Sequence, residues 1–146
     1  YLVAYLDLFT KQIVAWDVQT HMRESLVREP LEKALLKRNI KGELIIHSDR
    51  GGQYLSNNMK KLIQTFELKQ SMTEAGDCYE NASAESLWSR LKTEMEIPKV
   101  GYESLEILRN ELFEYIEVYY NRKRIHSAIG YETPMEFEQK YYKKTG

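Results

Sequence analysis

The sequence predicts an α/β fold, a mixed sheet with helices packed on it. Three observations predict it. Two strand-like runs rich in Val, Ile, Leu, Tyr and Trp open the chain, at residues 1–6 and 12–18. Two further short apolar runs, at 43–47 and 68–72, alternate with segments of helical period. The order strand–strand–helix–strand–helix–strand–helix–helix is that of helices layered on a sheet.

Each element has a local reason. The first two runs are joined by Asp7-Leu8-Phe9-Thr10-Lys11, a short polar link that reads as the turn of an antiparallel hairpin. Residues 23–38 place Leu26, Val27, Leu31, Ala34 and Leu35 at helical spacing, with Pro30 an irritant inside the pattern. Gly42 punctuates, and Glu43-Leu44-Ile45-Ile46-His47 reads as a short buried strand. Ser56-Asn57-Asn58 reads as a helix cap before Met59, Leu62, Ile63 and Phe66. Leu68 to Met72 is another short strand.

Residues 73–81 are rich in turn formers: Thr73, Gly76, Asp77 and Asn81. A helix is predicted from about 80 to 96, broken by Pro98 and Gly101. Residues 103–121 are the most periodic stretch, with Leu105, Leu108, Leu112, Tyr115, Ile116 and Tyr119 on the apolar side. Glu103, Glu106, Glu111, Glu114 and Glu117 lie on the other. The basic run Arg122-Lys123-Arg124 follows, then a final helix from about 133 to 142.

The 146 residues are one domain's worth, and 42% apolar with 29% charged residues is ordinary for a globular chain. The eleven tyrosines combine apolar area with a hydroxyl, which suits wet surfaces as well as cores. The one cysteine, Cys78, cannot form an internal disulfide and excludes a cysteine-based zinc cluster. It is expected to be small and at least half-buried. No apolar run approaches the ~20 residues that span a bilayer, and no basic lead precedes an apolar stretch as in a signal peptide. A net charge of −1 gives no global pull toward nucleic acid, so any DNA contact must rest on local charge. The chain opens already strand-like at Tyr1-Leu2-Val3, with no initiator Met, and is expected to be a fragment of something longer.

Two acidic residues carry the candidate chemistry. Asp49 ends a strand within His47-Ser48-Asp49-Arg50-Gly51-Gly52-Gln53-Tyr54, and carboxyl ends of strands are where α/β sheets place ligands. A turn-capping Asp explains the same position equally well. Glu85 follows with 35 residues between them, early in a predicted helix and among the small residues Ala82, Ser83, Ala84 and Ser86. Taken alone, a glutamate there is ordinarily a solvated charge favoured by the helix dipole. Brought together, two such carboxylates can hold a divalent cation. Lys92, seven residues after Glu85, falls ~20° round the same helix, where an ammonium can serve a phosphate or simply face solvent. Arg122, Arg124 and His126 can contact phosphates, or can offset the dipole of the preceding helix. His21 reads as solvated.

Three motifs in order resemble one family. They are HSDRGGQY at 47–54, GDCYENASAESLWSRLKTE at 76–94 and YNRKRIHSAIGYETPMEF at 120–137. They resemble the integrase core of bacterial insertion-sequence transposases, the group related to retroviral integrases. The opening YLVAYLDLFTKQIVAW is similar to that family's early hairpin. The resemblance implies a ribonuclease H-like fold lacking its first strand. It implies one integrase-core domain over 1–146, truncated at its N-terminus, with a helical extension from about 103. It implies a DDE triad binding Mg²⁺ or Mn²⁺, with two metals bridging the scissile phosphate, and phosphoryl transfer that joins DNA ends in transposition. Asp49 then matches the second acidic ligand, Glu85 the third, and Lys92 the DNA-contacting lysine of the related integrases, while Arg122, Arg124 and His126 are expected on DNA.

The family's first aspartate has no match. Asp7 falls in the hairpin link, where a turn role explains it, and Glu80 stands where the family commonly has Asp. The chain alone is therefore expected to be weakly active or inactive in strand transfer. The implied partners are transposon-end and target DNA and further copies of the chain, in the bacterial cytoplasm at the nucleoid, with no membrane. Two other readings stand beside this one: a non-catalytic DNA-binding or dimerisation module, and a decayed transposase fragment.

Overall fold

The computed structural model describes residues 1–38, 40, 42–72 and 82–145. The turn-rich segment 73–81, with Cys78 and Glu80, lies outside the described residues. The element order is β1 (Leu2–Leu6), β2 (Ile13–Val18), α1 (Glu24–Lys37), β3 (Ile45–Ser48), α2 (Asn57–Thr65), β4 (Lys69–Met72), α3 (Ala82–Glu94), α4 (Leu105–Phe113) and α5 (Pro134–Thr145).

The strands pair locally. β1 pairs with β2, and the backbone bonds between Tyr1 and Gln19 and between Asp7 and Gln12 give the antiparallel sense. Asp7 makes the turn, its Oδ1 accepting the Phe9 N–H at 2.9 Å. β3 and β4 run parallel, with Ile45 opposite Lys69 and His47 opposite Ser71, and α2 forms the crossover between them. Among the described residues the strands form two separate two-stranded ladders, one antiparallel and one parallel, in a mixed α/β architecture.

The chain divides into two compact units, Tyr1–Val3 with Ala15–Ser89 and Ala4–Val14 with Arg90–Gly146. In the first, α1 buries Leu26, Val27, Leu31, Ala34 and Leu35, the apolar face its spacing predicts. Pro30 sits inside the helix with its ring buried, so packing offsets the lost N–H. Ser56 caps α2 by accepting the Met59 N–H at 3.1 Å, and Met59 and Leu62 are buried. Asn58 on α2 donates to Glu24 on α1 at 3.0 Å.

The second unit holds the largest departure from helical period. α4 ends at Phe113 and continues as a π-helix, Glu114–Tyr120. Its wide turn is closed by the Asn121 N–H donating to the Ile116 carbonyl, five residues back, at 3.0 Å. Buried residues therefore recur at a spacing of five: Tyr115 with Tyr120, Ile116 with Asn121. Tyr119, predicted on the apolar side, is 42% exposed, and Tyr120 takes its place at 2%. α5 opens with a capping box: Glu136 N–H donates to Thr133 Oγ1 while Thr133 N–H donates to Glu136 Oε2. Pro134 occupies the first helical position, where its missing N–H costs nothing. Phe9, in the hairpin turn, packs edge-on against Phe137 and Tyr141 of α5.

Candidate active site and the basic motif

β3 alternates in burial. Ile46 and Ser48 point inward, while Ile45, His47 and the following Asp49 are exposed. Period-2 geometry thus puts His47 and Asp49 on one open face at the carboxyl end of the strand. His47 Nδ1 lies 3.0 Å from Ser71 Oγ across the parallel ladder.

The loop after β3 folds back on Asp49. Oδ1 accepts the Gly51 N–H at 2.8 Å, and the Ser48 hydroxyl donates to the Asp49 carbonyl at 2.9 Å. The Tyr54 N–H donates to the Gly51 carbonyl, and the Gln70 side chain from β4 donates to the Tyr54 carbonyl. Gln53 donates to the Met22 carbonyl at 3.2 Å. Burial raises the Tyr54 phenol above its ordinary range, and the negative charge of Asp49 raises it further. Asp49 thus follows the end of the strand and caps its own turn through one carboxylate oxygen.

Glu85 lies in the first turn of α3 and is exposed, while Leu87 and Leu91 anchor the helix inward. Asp49 and Glu85 belong to the same compact unit. Among the described residues neither takes part in a salt bridge, and no group of three or more His, Cys, Asp or Glu is placed to hold a metal. Asp49 and Glu85 are both exposed carboxylates, chemically of the oxygen-ligand type that hard cations such as Mg²⁺ and Mn²⁺ take.

The basic motif lies in the other unit. Lys92 near the end of α3, Arg122 and Lys123 are exposed. Arg124 and His126 have partners inside the protein. The Arg124 guanidinium grips both Glu94 oxygens, Nε at 2.9 and 3.0 Å and Nη2 at 2.7 Å. It also lies over the Tyr120 ring, 5.7 Å from its centre. Tyr115 Oη donates to Glu94 at 2.9 Å. Arg124 foremost, with help from Tyr115, holds the Glu94 carboxyl below the ordinary carboxylate range. Burial, reinforced by Glu94, pushes the Tyr115 phenol far up.

His126 is 5% exposed and meets the Tyr120 ring edge-on at 4.9 Å. Burial, then the positive charges of Arg124 and Arg90, lowers it to about 4, so it is neutral at physiological pH. Asn121 completes this knot. Its side chain accepts the Ile13 N–H at 2.9 Å and donates to the Ile13 carbonyl at 3.0 Å. Sequence reasoning missed Asn121, Glu94 and Tyr115 here. Thr-Pro-x-Glu was a readable capping signal, but nothing near Glu94 in the sequence points to Arg124.

Comparison with known proteins adds to this geometry. Two models, both described as "Integrase core domain", match residues 1–78 and 85–142. The transposase for insertion sequence element IS904 of Lactococcus lactis subsp. lactis (strain IL1403) is 36% identical over 139 residues, 95% of this chain and 54% of that protein. Transposase InsF for insertion sequence IS3A of Escherichia coli (strain K12) is 38% identical over 140 residues, 96% of this chain and 48% of that protein. The chain thus spans about half the length of these curated relatives. The catalytic core domain of BIV integrase superposes with a TM-score of 0.69 at 16% identity, covering 99% of this chain and 90% of that one. A chain of the simian T-cell lymphotropic virus intasome, solved with the PP2A regulatory subunit B56 gamma, gives 0.71 at 13% identity over 93% of this chain and 47% of that one. At such identities the likeness establishes the fold, the ribonuclease H-like fold of retroviral integrase cores.

Proposed function

This chain belongs to the integrase core domain family, and from that membership we propose that it is the catalytic-core region of an insertion-sequence transposase, acting on DNA in transposition and integration. The observation that carries the reading is Asp49: an exposed carboxylate at the carboxyl end of a parallel strand, one oxygen fixed by the Gly51 N–H.

Asp49 and Glu85 supply oxygen ligands for Mg²⁺ or Mn²⁺. A divalent cation there would stabilise charge on the scissile phosphate and activate the attacking water or 3′-hydroxyl. Lys92 and Arg122, both exposed, are the residues proposed to touch DNA phosphates. Arg124 and His126, of the same basic motif, have partners inside the protein. The chain is proposed to work as one core domain, helical from about 103, in a multimer at paired DNA ends in the bacterial cytoplasm at the nucleoid. No helix among the described residues is long and apolar enough to cross a membrane.

Two carboxylates hold a catalytic metal poorly compared with three, so little end-joining is expected from this chain alone on a short duplex with Mn²⁺. The reading is tested by titrating Mn²⁺ into the wild type, Asp49→Ala and Glu85→Ala. Binding that either substitution removes supports it; a wild type without binding, or robust strand transfer that survives Asp49→Asn, refutes it. The alternative reading is a non-catalytic DNA-binding or dimerisation module. Salt-dependent DNA binding in a protein that takes no metal would select that reading.

A further inference from the structure

The loop after β3 contains two adjacent glycines in different surroundings. A Cβ built on Gly51 lies 2.9 Å from Asp49 Oδ1 and 3.1 Å from Gln53 Oε1, with the Tyr54 ring at 3.5 Å. A Cβ built on Gly52 meets nothing within 4 Å. Neither residue is among the glycines with positive φ, which are Gly42, Gly101 and Gly130. Alanine is therefore conformationally allowed at both positions, and what separates them is space alone.

The atom that would be displaced at Gly51 is the one its own N–H holds. Asp49 Oδ1 accepts that N–H at 2.8 Å, a contact that brings the carboxylate over the Gly51 Cα. Gln53, the other neighbour, is tethered by its bond to the Met22 carbonyl and gives way less readily. A methyl group at 51 therefore turns the Asp49 carboxylate away and weakens its bond to the amide. Because the displaced atom ends a side chain at an exposed position, the backbone and the core need not move.

We propose that Gly51 is a positioning residue for the Asp49 carboxylate: its missing side chain lets the carboxylate lie over the loop amide, and so aims the remaining oxygen at a divalent cation. The inference rests on the reading of Asp49 as a cation ligand. Residues that orient a metal ligand without touching the metal typically govern about 10–100-fold in affinity.

The test uses the whole chain in four forms: wild type, Gly51→Ala, Gly52→Ala and Asp49→Ala. Mn²⁺ affinity is read by water-proton relaxation, and melting temperature is measured in metal-free buffer. Gly51→Ala is expected to bind Mn²⁺ about tenfold more weakly than wild type, with Gly52→Ala unchanged and both alanine variants melting together. Should Gly51→Ala bind as Gly52→Ala does while Asp49→Ala has lost binding, the positioning role is overturned and the metal reading stands. Should Asp49→Ala bind as the wild type does, or the wild type not bind, both fall. A Gly51→Ala melting point well below that of Gly52→Ala also overturns the proposal, since the glycine would then serve the fold itself.

Discussion

The loop after β3 and the knot around Arg124 are both built from polar residues of the motifs that resembled the family, and they use those residues in opposite ways. In the knot the polar atoms are committed to each other: Glu94 to Arg124 and Tyr115, Asn121 to the Ile13 backbone, His126 against Tyr120. In the loop Asp49 is exposed, with one oxygen on the Gly51 amide. A motif residue therefore does not declare whether it serves a ligand or the fold. Whether its polar atoms already have partners inside the protein does.

The sharpest way to break this contrast is to unmake the knot. Asn121 is 2% exposed and answers both backbone groups of Ile13, itself 2% exposed. Asn121→Ala leaves two buried backbone groups without partners, each worth about 1–3 kcal/mol. The expected loss is about 3 kcal/mol, or roughly 10 °C in melting temperature for a chain of this length. Thermal unfolding followed by circular dichroism checks it, and a loss under about 1 °C would show that the knot is not structural.

His126 gives the same region a pH signature. Burial lowers it to about 4 from an ordinary value of 6.5. The folded state thus resists protonation more than the unfolded state does. The stability this represents is complete above pH 6.5 and is lost as pH falls from 6.5 toward 4, amounting to about 2–3 kcal/mol across that window. Urea unfolding of wild type and His126→Gln from pH 7 to 4 should show the two curves converging toward acid. Parallel curves would mean that His126 titrates normally and is open to solvent.

Glu94→Gln should cost less, about 2 kcal/mol, since the amide keeps one acceptor for Arg124 while the guanidinium, 17% exposed, loses its charge partner. A double-mutant cycle with Arg124→Gln isolates the coupling, expected near 1 kcal/mol or more. Additive effects would reduce the pair to a surface contact, and would return Arg124 to the candidates for binding DNA.

Much of the fold was legible because its signals are local. The hairpin, the apolar face of α1 and the Ser56 cap each lie within one or two turns of chain. Tyr119 and Tyr120 exchanged roles because a 3.6-residue period cannot express a π turn, where burial recurs five residues apart. The pairing of Arg124 with Glu94 was not legible because Glu94 lies 30 residues away, beyond any local pattern. In the site, Asp49 was legible as a strand end and as a turn former. What sequence could not show is how the loop holds that carboxylate, with one oxygen on the Gly51 amide. That required the Gly51 geometry.

The smallest effect bears hardest on the comparison. Asp49→Asn keeps an oxygen to accept the Gly51 N–H and removes the charge, so melting in metal-free buffer should stay within about 0.5 kcal/mol of wild type. Glu85→Gln, exposed in the first turn of α3, should lose only its favourable interaction with the helix dipole, about 0.3–1 kcal/mol. Mn²⁺ binding should fall in both while the fold holds. If Asp49→Asn instead destabilised the chain as much as Asn121→Ala, the carboxylate would be part of the fold. The distinction between a loop that leaves an oxygen for a ligand and a knot that leaves none would then disappear, because both would be sites whose charge is answered inside the protein.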